Sequence, residues 1–155
     1  TLNPAPTDIR KIVASIIDDL KVFAQAKNTT IEAELADNIP LINVDGMKIQ
    51  QVVSNIIFNA IRYSKGKGEI IVALKREGKF VEFSCEDHGV GIAPEDGPKM
   101  FTKFYRSPRV LALATEGSGL GLYIAKAIIE QSKGKIWFES VVDKGTTFYF
   151  TLPIK

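Results

Sequence analysis

From Phe80 to Asp87 the chain alternates, and the last member of the inward row is charged. Val81, Phe83 and Cys85 fall on one face of an extended strand, and Asp87 comes next on that face. Burying a carboxylate at the end of an apolar row is expensive without a partner. The fold must therefore bring something polar to this strand end. His88-Gly89-Val90-Gly91-Ile92 follows, and its glycines permit a turn or a close approach by a ligand. Position alone leaves two readings of Asp87, a strand-end residue capping its own turn or a residue facing a ligand.

A second glycine signal, Gly117-Ser118-Gly119-Leu120-Gly121-Leu122, opens a helical pattern. Between the two signals, Pro94 to Glu116 shows no sustained periodicity, although Met100 to Tyr105 could form a helical turn. Lys99, Phe101, Lys103, Phe104, Tyr105, Arg106 and Arg109 make the stretch basic and aromatic. So long a structureless segment in a compact domain is usually functional or disordered, and this one suits a flap over an anionic ligand. The apolar run Val110 to Ala114 would cover that ligand or dock on a partner.

The remaining pattern supplies a scaffold. Thr7-Asp8 offers a cap to a helix carrying Ile9, Ile12, Val13, Ile16, Leu20 and Phe23 on its apolar stripe, with Asn28 as its stop. Ile31 to Leu35 reads as a half-buried edge strand and Pro40 to Val44 as a short connection with strand character. After Asp45-Gly46, a second helix carries Ile49, Val52, Val53, Ile56, Ile57, Ala60 and Ile61 on one stripe. Asn55 and Asn59 stack along its edge, with Arg62 and Tyr63 one turn on. Asparagine is a poor helix former, so the pair is either a solvated margin or the polar side of a site. Ile70–Leu74 and Phe80–Asp87 form a hairpin around Glu77-Gly78-Lys79. Leu120, Ile124, Ala127 and Ile128 share a face of a third helix, which Gly134 caps. A last hairpin pairs Ile136–Ser140 with Thr146–Pro153 across Asp143-Lys144-Gly145, and Thr146 shares a face with Phe148, Phe150 and Leu152. Helices against a mostly antiparallel, mixed sheet predict an α+β two-layer α/β sandwich with three helices on the sheet. Thr1–Pro6 reads as a linker remnant, as if the chain were excised from something longer, and 7–155 reads as one domain.

Composition narrows the functional classes. A net charge of +2 over 155 residues argues against a general nucleic-acid binder. No apolar run is long enough to span a bilayer, and no secretory signal opens the chain. One cysteine, Cys85, excludes an internal disulfide framework, fits a reducing, cytoplasmic setting, and reads as a small core residue. The glycines form neither a P-loop nor a dinucleotide-binding fingerprint.

Taken in order, the pieces resemble the nucleotide-binding catalytic domain of sensor histidine kinases, in the superfamily shared with gyrase, the Hsp90 chaperones and the MutL repair proteins (the Bergerat fold). Asn55 to Tyr63 is similar to the family's N box, Asp87-His-Gly-Val-Gly to its first glycine box and Phe101 to Tyr105 to its F box. Gly117 to Leu122 is similar to the second glycine box and Gly145-Thr146-Thr147-Phe148 to the last.

The resemblance implies a Mg²⁺-ATP site under an ATP lid at about 92–116. Asp87 would accept from the adenine amino group, Thr146 would support that contact, and Tyr63 would lie against the purine, with Gly89, Gly91 and Ile92 beside it. Asn59 would ligate Mg²⁺, Asn55 would assist at the metal or phosphates, and Arg62, where the family usually has Lys, would keep a positive charge there; these three would carry the catalysis. Phe104 and Arg106 would reach the nucleotide from the lid. Gly117, Ser118, Gly119, Leu120, Gly121 and Leu122 would hold the phosphates. Superfamily members that hydrolyse ATP carry glutamate at the position of Asn55, so the resemblance implies transfer rather than hydrolysis. The acceptor would be a histidine on a helical-hairpin dimerisation domain absent from this chain, with a response-regulator receiver domain downstream, and neither nucleic acid nor membrane contacted. His88, the one histidine, sits beside the adenine ligand and reads as a turn residue. A serine protein kinase of the same superfamily and a non-catalytic ATP-sensing module are the alternatives. Gln131-Ser132-Lys133-Gly134 departs from the family's more usual His-Gly-Gly.

Overall fold

A computed structural model describes residues 1–64, 67–102 and 121–154. Its first element is a strand, β1 (Ala5–Thr7), which pairs antiparallel with β3 (Ile42–Val44). No strand was expected there, because three residues with a proline carry no readable alternation; the pairing is supplied by residues almost forty positions away. α1 (Ile9–Ala26) starts where the Asp8 carboxylate accepts the Lys11 N–H at 3.1 Å, and it stops at Asn28, whose φ is 54°. β2 (Thr29–Leu35) follows. Asp45 caps α2 (Gly46–Arg62) through the Lys48 N–H and also accepts from Asn3 N–H at 2.9 Å, which ties the start of the chain to that helix.

β4 (Gly68–Glu77) and β5 (Phe80–Asp87) form the expected hairpin, with Gly78 at φ 61° in its turn. A 3₁₀ helix at Pro94–Lys99 comes next, earlier than the helical turn expected at Met100 to Tyr105, of which 103–105 lie outside the described residues. α3 is described from Gly121 to Gln131, then β6 (Lys135–Val141) and β7 (Gly145–Pro153) close the chain. The main sheet runs β2-β4-β5-β7-β6, with β2 parallel to β4 and every other pair antiparallel. The three helices cover one face, so the expected two-layer α+β sandwich forms. Among the described residues no helix is long and apolar enough to cross a membrane.

The core is the seam between these layers. Ile70, Val72 and Leu74 of β4, Val81, Phe83 and Cys85 of β5, and Phe148, Phe150 and Leu152 of β7 meet the α2 stripe from Ile49 to Ile61. Phe83 and Phe150 face each other across the ladder and stack at 4.8 Å. Each such side chain contributes about 1.5–3 kcal/mol on burial. Two helical stripes are rotated from expectation. Phe23 is 38% exposed and stacks on Phe58, while Ala24 takes the buried position; a straight helix drifts about 20° per heptad, and the drift is felt in the last turn of α1. In α3 the buried residues are Ala125, Ile128 and Ile129, with Ile124 and Ala127 only half-buried. All five are small or apolar, so the pattern left the face undecided and packing chose it.

The end of α3 also differs in its division of labour. Lys133, at φ 67°, holds the left-handed position. Its N–H reaches Glu130 O at 3.0 Å and the Gly134 N–H reaches Ile129 O at 2.9 Å, a Schellman closure. Gly134 is needed for space instead, since a Cβ there would overlap the Thr151 carbonyl oxygen and press on Ile129 and Leu152. Lys133→Gly should therefore raise stability by up to about 1 kcal/mol, and Gly134→Ala should lower it by about 1–3 kcal/mol. Urea midpoints decide the matter, and shifts of the same sign in both variants would refute this assignment.

Candidate functional site

The site begins at the register of β5 with β7. Asp87 lies opposite Thr146, and both side chains are nearly buried, at 8% and 6% exposure. Asp87 Oδ1 accepts the Gly89 N–H at 2.9 Å and the Thr146 N–H at 3.3 Å. Among the described residues no donor reaches Oδ2. Burial pushes the carboxyl up to about 6, against the pull of those two N–H groups. Turn capping, one of the two readings the sequence leaves open, thus engages Oδ1.

The glycines around Asp87 are explained by protein rather than by ligand approach. A Cβ on Gly89 would overlap the Tyr63 carbonyl oxygen, and one on Gly91, at φ 73°, would overlap that of Val141. One on Gly145, at φ 140°, would strike the Asp87 carbonyl oxygen. Three backbones converge on the carboxylate, and only glycine admits each crossing.

Across from β5 stands α2. A cleft is lined by Asn59, Tyr63, Asp87, Gly91, Ile92, Leu122 and Thr146 of the expected set. Ala60, Val90, Met100 and Phe148 complete its lining. Phe148 was legible, since it shares a face with Thr146, and Ala60 adjoins Asn59; Val90 and Met100 sit in segments whose pattern carried no sign of burial. Its apolar walls with a few polar groups are of the kind that takes a small organic ligand. Asn55 is half-buried next to Gly121, whose Cβ position lies 3.8 Å from the Asn55 amide. Asn55 and Asn59 therefore belong to the helix edge between α2 and α3, not to a solvated margin.

Arg62 is not brought to the cleft wall. Its guanidinium lies over the rings of Phe58 and Tyr63, at 5.4 and 5.7 Å. Phe101 packs on Phe138 and Phe148 at 5.9 and 6.2 Å, which anchors the start of the long segment to the β6–β7 aromatics. Phe104, Arg106, Gly117, Ser118, Gly119 and Leu120, like Val110–Ala114, lie outside the described residues. His88 is exposed, with Nδ1 3.1 Å from Glu69 O and Nε2 3.5 Å from Glu86. Cys85 is buried, and desolvation pushes its thiol far above the ordinary range, as a core residue's would be. Among the described residues no three His, Cys, Asp or Glu side chains gather as a metal cage.

The raised carboxyl has a consequence for stability. The folded chain holds the Asp87 proton from the ordinary 3.8 up to about 6, so this contribution is intact below about pH 4 and is lost as pH rises through 6. Above that range the buried charge costs on the order of 2–3 kcal/mol. Asp87→Asn should accordingly be more stable than the parent near pH 7.5, and the gap should narrow as pH falls through 6 and close by about pH 4. Denaturant melts across that range test this, and a gap independent of pH would refute it.

Residues 44–155 match the family described as histidine kinase-, DNA gyrase B- and HSP90-like ATPase. The adaptive-response sensory kinase SasA of Prochlorococcus marinus (strain AS9601) is 32% identical over 153 residues, 98% of this chain and 41% of SasA. The sensor histidine kinase WalK of Bacillus subtilis (strain 168) is 36% identical over 143 residues, 91% of this chain and 23% of WalK. The chain thus spans well under half of either relative. Full-length ShkA in complex with AMPPNP superposes with a TM-score of 0.85 at 25% identity, over 99% of this chain and 31% of ShkA. With sensor kinases among its relatives and the fold of a histidine kinase catalytic domain, the chain belongs to the histidine kinase-, DNA gyrase B- and HSP90-like ATPase family.

Proposed function

We propose that this chain binds Mg²⁺-ATP in the cleft and donates the γ-phosphoryl group to a histidine on a separate helical-hairpin domain. The observation that carries the reading is the second oxygen of Asp87, an acceptor at the floor of an apolar cleft whose far wall is Asn59. Such a cleft takes a flat base that ends in an amine, and the AMPPNP held by ShkA supports a nucleoside triphosphate as the ligand.

In this reading Asp87 accepts from the adenine amino group, with Thr146 beside it. Tyr63, Gly91, Ile92 and Leu122 enclose the base, and Gly89 holds the turn beneath Asp87. The triphosphate runs toward Asn55, Asn59 and the glycines from Gly117 to Gly121, with Ser118 and Leu120 offering backbone N–H groups there. The segment from about 92 to 116 closes over it and brings Phe104 and Arg106 in. Residues 7–155 act as one catalytic domain. Asn59 would be a single amide ligand, with no acidic cage among the described residues, the protein share expected of a Mg²⁺ held largely by phosphate and water. Bound there with the triphosphate, Mg²⁺ neutralises charge on the phosphate oxygens.

Transfer is an in-line displacement. A nitrogen of the acceptor imidazole forms the P–N bond as the bond from γ-phosphorus to the bridging oxygen breaks, ADP departs with that oxygen, and the imidazole proton passes to an acidic residue beside the acceptor. Asn55 cannot take a proton from water, so hydrolysis lacks a base. Arg62 adds positive charge at the end of α2 by leaving its stacked position on the two rings. His88, tied to Glu69 and Glu86 on the outer side of the turn, is not the acceptor. The phosphoryl group then passes to a response-regulator receiver domain in the cytoplasm.

Calorimetric titration with ATP, with and without Mg²⁺, tests the first step. Saturable binding should fall by at least about tenfold in Asp87→Asn, the loss expected when a buried charged acceptor becomes an amide. With a histidine-bearing hairpin domain supplied, the product should be acid-labile phosphohistidine, and Asn59→Ala should slow transfer by roughly 10²-fold or more. An acid-stable phosphoserine, or binding without any transfer, would overturn the histidine-kinase reading.

A further inference from the structure

Ser140 does not line the cleft, yet three contacts converge on its hydroxyl. Ile92 N–H donates to Oγ at 2.7 Å. Oγ donates to the Gly145 carbonyl at 3.0 Å, and Thr146 Oγ1 lies 2.8 Å away. Ser140 and Thr146 are direct cross-strand partners, so the pairing of β6 with β7 holds them together.

Proton counting gives these contacts a direction. A serine hydroxyl has one proton and two lone pairs. Ile92 N–H can only donate and the Gly145 carbonyl can only accept. The Ser140 proton therefore goes to Gly145, and one lone pair goes to Ile92. What remains for Thr146 is a lone pair, so the Thr146 hydroxyl must be the donor. With its proton committed to Ser140, Thr146 can offer the cleft acceptance only. Asp87, ionised, is likewise an acceptor, and the backbone groups nearest it already point their N–H bonds at Oδ1.

We propose that Ser140 is a positioning residue for base selection: by holding the Thr146 proton it makes the floor of the cleft a two-acceptor surface that takes an exocyclic amine and rejects a carbonyl in its place. This rests on the reading that a purine sits against Asp87. An amine brings two N–H donors to two acceptors, whereas a carbonyl sets acceptor against acceptor. Without the Ser140 hydroxyl, Thr146 can turn and donate to such a carbonyl, so selection weakens although neither Asp87 nor Thr146 has changed.

The test uses the full chain with Mg²⁺ and two probes, ATP and inosine triphosphate, which carry an amine and a carbonyl at the same purine position. The parent should bind ATP the more tightly. Ser140→Ala should narrow that preference by roughly tenfold, the worth of one mismatched hydrogen bond. Thr146→Val keeps the Ser140 bonds to Ile92 and Gly145, and it should narrow the preference by a similar factor. In the double variant the Ser140 change should add nothing. A purely structural Ser140 would loosen the Ile92 turn and change the preference by the same factor in either background, which would overturn the proposal. An unchanged preference in either single variant would do so too, and if Ser140→Ala does not fold, Ser140→Cys, whose thiol is a weak donor and acceptor, should narrow the preference in its place. A parent that binds neither nucleotide takes down the reading of the cleft as well; a parent that binds ATP selectively, with variants unchanged, removes only the role of Ser140.

Discussion

Asp87 is the last residue of the inward row of β5, and keeping its carboxylate there demands N–H groups aimed at it. Two backbone N–H groups do this, from Gly89 in the following turn and from Thr146 at the start of β7. For both to arrive, the chain must pass close to itself at Tyr63, Val141 and Asp87, which is what Gly89, Gly91 and Gly145 allow. The glycine motifs and the buried carboxylate are thus one construction. Anchored through one oxygen, the residue also lines the cleft.

That construction opposes stability to function. The same burial that raises the carboxyl to about 6 makes its charged form unfavourable at neutral pH. The protein tolerates the charge because the sheet behind it is a continuous apolar ladder, with Val81, Phe83 and Cys85 stacked on Phe148, Phe150 and Leu152 and covered by α2. α2 in turn divides its surface: the stripe from Ile49 to Ile61 seals the core, while Asn55 and Asn59 stand at its edge toward α3. One helix supplies both the wall that seals the core and, in Asn59, an amide that lines the cleft.

Much of this was legible without coordinates. The alternation that ends in Asp87, the α2 stripe with its two asparagines, and the inward row from Thr146 to Leu152 each follow from a single periodicity, and all three were found in place. β1 was missed because three residues cannot show a period, and the buried face of α3 was misplaced because nearly every candidate for it is apolar. The cap of α3 fell to Lys133 rather than to Gly134 for a similar reason. Glycine after a helix suggests a left-handed cap, but the nearness of Thr151 that requires it comes from β7, later in the chain.

The order of the strands and helices after β1, the carboxylate at the end of a buried row and the polar edge of α2 were determined by the sequence itself, since hydrophobic period and turn chemistry are local properties. Only the tertiary structure decided what those residues meet. It turned the glycines from openings for a ligand into crossings of backbone, stacked Arg62 on Phe58 and Tyr63 rather than along the cleft, and joined Ser140 to Ile92, Gly145 and Thr146. The physical reason is common to all three. A close approach or a shared hydroxyl proton depends on segments far apart in the chain arriving within a few ångströms, and no local periodicity encodes which atoms will arrive.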